Sequence, residues 1–461
     1  MNNNFLQNTL YPLLACPRCG TPHDSPFEQN ETVCTHCKLA HFQIGEIPCF
    51  FPSGTEHKLI WQFQAGVMQK TAIHGLESIA ESLSRYDLSN TTRNRLGEIY
   101  HSCELSQVNT FKLLEQYGIT PLVNEQVNQM NIGDLSEYYD LILRDWAWDT
   151  TENPSTENQN ALKRVISQID ALNIKPKKIL VLGAGAGRLS WDIHSRVKPE
   201  ISVALDSHPL MLSISDWLIR QQQPIALGEF KIFPQIGFQS GQVHTLTPPA
   251  DPENLRERWF GLGGNIWHMP IQAGSFDMII TPWLVDVTGG DVRDLIGVVS
   301  NLLAPGGHWI NTGPLLFTRH IPVQIKYNAP EVKEFLALSG FKLATENVQV
   351  SDHLVSPIEA RGRTEQIWTF TACKSETPDA SSVDGVIVPW LVMHHLPVPP
   401  SNYSTKDKHP LIGTILSLID GKRSINDICA EIAGRIPEGI TVKDAVVTLL
   451  GQVIAEESDN T

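Results

Sequence analysis

Along the 461-residue chain the spacing of apolar positions changes several times, and each change predicts a different kind of element. Between positions 155 and 375, short apolar runs rich in β-branched residues alternate with helical stretches. Ile179–Leu182 and Ile201–Leu205 are the clearest of these runs. That alternation predicts a parallel sheet with crossover helices. Residues 56–154 instead repeat apolar side chains at helical spacing, as in Leu76, Ile79 and Leu83 or Phe111 and Leu114, and predict a helical lobe. Residues 376–410 are rich in Pro, Ser, Asp and His and read as a linker. Over 411–461 helical stripes return. Ile412, Ile415, Leu416 and Ile419 form the first, ended by Asp420-Gly421. Ser424–Asp427 has the form of a capping box opening a second helix with Ile428 and Ile432 inward. Thr441–Asp444 opens a third, carrying Val446, Leu449, Leu450 and Val453. There is no internal repeat.

The stretch 1–55 adds a different signal. Five of the eight cysteines fall within Cys16–Cys49. Cys16-Pro-Arg-Cys19 and Cys34-Thr-His-Cys37 are two Cys-x2-Cys knuckles joined by a short loop, and together they present four thiolates at spacing that suits tetrahedral zinc. Four protein thiolates leave no open coordination position, so the metal is expected to be a structural staple for a zinc ribbon. Cys49 is expected to be a plain apolar residue.

Charge narrows the partners. Fifty acidic against 35 basic residues give a formal charge of −15, a surface that repels phosphate backbones, so no nucleic-acid partner is expected. No apolar run approaches the ~18 residues of a membrane span, and Lys and Arg form no polybasic block. Met1–Phe5 lacks the basic start of a secretory signal, and clustered cysteines in such a chain favour metal over disulfides, which points to the cytoplasm.

Candidate chemistry centres on Lys178–Ile193, read as strand, turn and helix, with Gly183, Gly185 and Gly187 in the turn. Glycines there let the chain bend sharply and let a ligand approach the free N–H groups of the helix start. A second strand, Ile201–Asp206, follows that helix and ends in an acid, where a carboxylate accepts from two ribose hydroxyls. Two nucleotide ligands fit this pair, a nicotinamide dinucleotide and S-adenosylmethionine (SAM). The Gly-x-Gly-x-Gly spacing departs from the dinucleotide pattern, whereas SAM carries no pyrophosphate, and downstream features decide between them. Gly274–Thr281 (a strand after an acidic turn) and Leu302–Asn311 (helix end, Gly306-Gly307 turn, strand) look like elements of methyltransferases with this kind of sheet.

Several segments over roughly 135–375 resemble the carnosine N-methyltransferase family. They are Arg144-Asp145-Trp146, the Gly183–Leu189 loop, Asp206–Leu212, Leu284-Val285-Asp286 and Trp309–Leu316. The resemblance implies an α/β, class I SAM-dependent methyltransferase fold with a Rossmann-like seven-stranded sheet. It implies that Arg144 pairs with the methionine carboxylate of SAM, that Gly183, Gly185 and Gly187 shape the loop beneath it, and that Asp206 holds the ribose. Asn265 and Ile266 stand at the adenine region, Asn265 in place of a family acid. Asp286 matches the acid that hydrogen-bonds a substrate imidazole. Thr318 stands where the family has a pocket histidine, and Leu141 where a glutamine is expected. With Asp286, Thr318 and Tyr327 are the candidate substrate contacts, and His320, His244, His268, Trp267 and Trp283 are neighbours expected to be structural.

The expected activity is N-methylation of an imidazole-containing small molecule or histidine-containing peptide by in-line displacement. Asp286 would fix the tautomer and raise the basicity of the attacking nitrogen. The stretch Leu418-Ile-Asp-Gly-Lys-Arg-Ser-Ile-Asn-Asp-Ile428 resembles the small winged-helix modules related to PqqD. That resemblance opens an alternative, a methyltransferase acting on a peptide or natural product delivered by the C-terminal module. A third reading is a zinc-containing scaffold protein with a vestigial nucleotide fold.

Overall fold

The computed structural model describes residues 9–23, 25–123, 135–149, 156–375, 388–400, 410–435 and 441–458. Twelve strands are described: β1 Glu31–Val33, β2 Ala40–Ile44, β3 Ile47–Phe50, β4 Lys178–Leu182, β5 Ile201–Asp206, β6 Ile225–Phe230, β7 Gly241–Leu246, β8 Trp259–Gly264, β9 Phe276–Pro282, β10 Leu303–Gly313, β11 Phe341–His353 and β12 Arg363–Lys374. Ten of them form one sheet in the order β1-β2-β3-β8-β5-β4-β9-β10-β12-β11, and β6 pairs with β7 apart from it. From β3 to β10 neighbours run parallel, and β12 enters antiparallel between β10 and β11.

The centre of this sheet follows from the sequence pattern. Leu180, Leu182, Ile279 and Ile280 are fully buried because helices cover both faces of a parallel sheet, so its strands need apolar residues throughout rather than alternately. The helices of this part of the chain are α1 Glu56–Leu83, α2 Asn90–Gln116, α3 Tyr139–Trp146, α4 Glu157–Ala171, α5 Arg188–Val197, α6 Pro209–Ser215, α7 Val292–Leu302 and α8 Ala329–Leu338. Their starts carry local signals. Ser89 accepts from the Thr92 amide at the N-cap of α2, Asp291 from Arg293 at that of α7, and Asn328 with Glu331 makes a capping box on α8.

The cysteine-rich segment is less separate than its size suggests. β3 lies parallel to β8, with Cys49 opposite Gly263 and Phe50 opposite Gly264, so β1–β3 extend the main sheet. Leu10, Leu14 and Phe50 join the central apolar core, and Cys49 is fully buried.

The helical lobe is dominated by two long helices in contact, α1 and α2. Leu76 and Ile79 of α1 are only half-buried, because they face an open cavity of about 640 Å³ shared with α2 and the β6–β7 hairpin. The C-terminal part is helical: α9 Pro389–Val392, α10 Pro410–Ser417, α11 Ile425–Ile432 and α12 Val442–Ser458. Ser424 and Asp427 make the expected capping box, and Ile428, Ile432, Val446 and Leu450 are buried together. Among the described residues of this part, an isolated bridge between Pro397 and Ser424 is its β pairing. Within the expected linker, α9 contributes Trp390 to this small core; residues 376–387 and 401–409 lie outside the described residues. No helix among the described residues is long and apolar enough to cross a membrane.

Candidate functional site

In an open parallel sheet, ligands bind beyond the carboxyl ends of the strands. The registers place the candidate residues there. Leu182 pairs with Leu205 and Asp206 with Gly263, while Thr312 is level with Pro282. Gly183, Asp206, Asn265, Trp283 and Gly313 therefore sit at or just past one edge.

The glycine loop is built from backbone. Gly183, Gly185 and Gly187 all have positive φ, a region that costs other residues strain. The three do different work. A Cβ on Gly187 would meet Ser215 and Ile219, and one on Gly183 would meet Leu284 Cδ1 at 2.8 Å. A Cβ on Gly185 would meet nothing within 4 Å, so open space lies over the middle of the bend. Asp206 closes the bend: its carboxylate accepts from the Gly185 amide at 2.8 Å and from the His208 amide at 2.9 Å. Burial pushes its carboxyl above the ordinary range, against the pull of those amides and that of Ser207.

The tripeptide Arg144–Trp146 at the end of α3 is fastened to this loop. The Trp146 indole donates to the Ala186 carbonyl at 2.9 Å, and Arg188 donates to the Asp145 carbonyl at 3.0 Å. Arg144 itself holds Asp145 through Nε and Nη2, with its guanidinium 6.0 Å from the Trp283 ring. Asn265 is half-buried and its Oδ1 accepts from the Trp267 amide two residues on, and Ile266 packs against the core.

These residues fit SAM. There is an open glycine cradle, a carboxylate at the end of the second strand and a guanidinium carried by α3. An amide at Asn265 can still hydrogen-bond an adenine.

Asp286 lies on the loop after β9 and is 4% exposed, with Oδ2 accepting from the Leu316 amide at 2.8 Å. Burial raises its carboxyl above the usual value, and the negative charge of Glu365 adds to this. The Leu316 amide and Arg363 oppose it. Of the other expected contacts, Thr318 is exposed on the loop after β10. Tyr327 has a packing environment: its hydroxyl donates to Asp291 Oδ2 and its ring stacks edge-on against Phe335.

Around Trp283 the structure also brings in Arg164, His353, Arg363 and Glu365, which no motif marked. Trp283 has a left-handed backbone, donates its indole N–H to Glu365 Oε2 at 3.2 Å and stacks on His353 with ring centres 5.8 Å apart. The Arg164 guanidinium lies 5.3 Å over the same ring. His353 Nδ1 is 3.5 Å from Glu365, and Arg363 ion-pairs with that carboxylate at 3.0 Å. Burial, with the charges of Arg144 and Arg363, lowers His353 to about 3, so the ring is neutral at pH 7. A signal was present in Arg363-x-Glu365, two charges at strand spacing before an apolar run, but its meaning depends on where the strand ends.

The four cysteines of the knuckles converge. Their sulfurs lie within 4.8 Å of one another, with Cys16 and Cys37 3.5 Å apart and Cys19 and Cys34 3.6 Å apart.

A family model described as carnosine N-methyltransferase matches residues 121–360, just over half of the chain. The mouse carnosine N-methyltransferase is 26% identical over 227 residues, covering 45% of this chain and 54% of that protein. The Dictyostelium discoideum enzyme of the same name is 31% identical over 186 residues, covering 37% and 39%. The chain thus spans about half the length of the relatives it matches, or less. A solved SAM-dependent methyltransferase from Methanosarcina mazei, 13% identical, superposes with a TM-score of 0.31 over 45% of this chain and 97% of that one. With the family model covering residues 121–360, from before Arg144 to beyond Asp286, this chain belongs to the carnosine N-methyltransferase family.

Proposed function

We propose that the protein is a SAM-dependent N-methyltransferase acting on an imidazole-containing small molecule or histidine-containing peptide. The observation that carries the reading is the placement of Asp286. It is a buried carboxylate at the same strand edge as the glycine cradle, with one oxygen fixed by the Leu316 amide. SAM supplies the electrophilic methyl group on its sulfonium. The chain's own residues supply alignment, exclusion of water and a free lone pair on the acceptor. Arg144 is assigned to the methionine carboxylate, Gly183, Gly185 and Gly187 to the seat beneath it, Asp206 to the ribose, and Asn265 with Ile266 to the adenine side. Asp286 holds the distal ring N–H of the acceptor, which leaves the other nitrogen unprotonated and more basic.

The cysteine cluster is assigned to one structural zinc ion. Four thiolates at these separations match the metal's donor preference and leave no position for substrate. A second acceptor route, a peptide held by the C-terminal helices, is supported by a cleft of about 990 Å³ between them and α7, lined by Lys374, Asn426 and Asp427.

The test is transfer of labelled methyl from SAM to carnosine, free histidine and histidine-containing peptides, with calorimetry of SAM binding alongside. Saturable SAM binding and label on an imidazole nitrogen are expected. Absence of SAM binding would leave the scaffold reading standing.

A further inference from the structure

β12 pairs with β10 only as far as Trp368 opposite Gly313. The start of β12, Arg363–Ile367, pairs with β11 alone, so a two-stranded ribbon overhangs the carboxyl edge of the sheet. Alternation along a strand and direct pairing across it put Ser351, His353, Arg363 and Glu365 on one side of that ribbon, Ser351 opposite Glu365 and His353 opposite Arg363. That side faces the site. Glu365 accepts from the Trp283 indole, His353 stacks on Trp283, and Ser351 accepts from Arg164. Glu365 is 5% exposed, although its ion-pair partner Arg363 reaches solvent with 63% of its side chain accessible.

We propose that Glu365 is a specificity-determining residue which, with Asp286, puts two carboxylates beside the acceptor and selects acceptors that bring or develop positive charge there. The proposal rests on the methyltransferase reading above and deepens it. During transfer the S–CH3 bond breaks, its electron pair stays on sulfur, and the N–CH3 bond forms from the nitrogen lone pair. The positive charge of the sulfonium thus passes to the acceptor ring, which afterwards sheds its N–H proton to solvent. Two carboxylates near that ring stabilise the charge as it arrives, and they disfavour an acceptor whose tail is itself an anion. The charged groups around Asp286 are Glu365 and Arg363, those around His353 are Glu365, Arg144 and Arg363, and Glu365 itself is ion-paired with Arg363.

The experiment compares wild type with Glu365→Gln on two small probes, histamine with its ammonium tail and imidazole-4-propionate with its carboxylate. Glutamine keeps an acceptor for the Trp283 indole and removes the charge. Wild type is expected to prefer histamine. Glu365→Gln is expected to cut that preference about tenfold in kcat/KM and to move the acid limb of the histamine profile to lower pH. SAM affinity should stay unchanged and the melting temperature should not fall. Unchanged preference and an unmoved acid limb would overturn the proposal alone. So would a loss accompanied by weaker SAM binding or a lower melting temperature, since that pattern belongs to a structural role. If wild type methylates no imidazole, the underlying reading fails and takes the proposal with it.

Discussion

The indole N–H of Trp146 donates to the carbonyl of Ala186 at 2.9 Å, joining the last turn of α3 to the middle of the glycine loop. This bond sets where Arg144, on the same turn, can stand relative to the loop. Trp146→Phe keeps an aromatic ring but removes the indole N–H, leaving a buried carbonyl unpaired at a cost of ~1–3 kcal/mol. The variant should fold with a lower melting temperature and bind SAM about tenfold more weakly by calorimetry. SAM affinity equal to wild type would separate α3 from the cofactor seat.

Two glycines of the same loop should respond in opposite ways. Gly185 has φ +56° with open space where a Cβ would go, whereas Gly187 has φ +85° with Ser215 at 2.7 Å and Ile219 at 3.0 Å from that position. Gly185→Ala should therefore cost only the ~1–2 kcal/mol of a left-handed backbone, yet fill the cradle and abolish detectable SAM binding. Gly187→Ala adds steric conflict to the same backbone cost and should lose on the order of 3 kcal/mol or fail to accumulate as folded protein. Denaturant midpoints and calorimetry on both variants check this. Intact SAM binding by Gly185→Ala would mean the cofactor does not sit over the bend.

The glycine bend and the carboxylate that closes it were legible in the sequence, and the wall facing Trp283 was not, for a physical reason. Gly183–Gly187 and Asp206 lie within one strand-turn-helix-strand unit, so spacing along the chain fixes spacing in space. Glu365 and His353 come from strands far downstream of Trp283. They reach it only because β11 and β12 outrun β10, a matter of relative strand length that no local pattern encodes. Tyr327 shows the converse. Its position after the Gly313-Pro314 segment suggested a pocket residue, but Asp291 and Arg293 at the start of α7 give its hydroxyl and ring a packing environment. The cysteine knuckles were legible as a metal-type cluster. The pairing of β3 with β8, which makes their ribbon part of the main sheet, depends instead on a contact between segments remote from each other in the chain.

That pairing gives the zinc assignment a consequence for stability. Cys34→Ser removes one of four converging sulfurs, and structural zinc sites of this kind contribute ~10 kcal/mol or more to the fold they close. Elemental analysis should find about one zinc per chain in wild type and far less in the variant, with a marked fall in melting temperature as the sheet edge at β3 loosens. The fraction that remains folded should bind SAM within about twofold of wild type, since the cysteines share no partner with Gly185 or Asp206. A variant that keeps its zinc, or a wild type without any, would remove the metal from the account.

Asp286 should trade stability for chemistry. Its carboxyl is raised above the ordinary 3.8 by burial and by Glu365. For an acid raised in the folded state, the stabilising contribution belongs to the protonated form. It is complete below the unfolded value and is lost as pH climbs through the folded value. At pH 7 the ionised group therefore opposes folding. Asp286→Asn removes that penalty while its side-chain oxygen still accepts from the Leu316 amide. The variant should melt higher than wild type at pH 7, with the difference vanishing below about pH 4. Its turnover on carnosine should fall about a hundredfold with SAM affinity unchanged, because a neutral amide orients the ring N–H without raising the basicity of the opposite nitrogen. Thermal melts across pH and single-turnover methyl transfer test both halves. A variant that is fully active would remove Asp286 from the reaction, and one less stable at pH 7 would mean that the carboxylate is held by favourable contacts stronger than its burial cost.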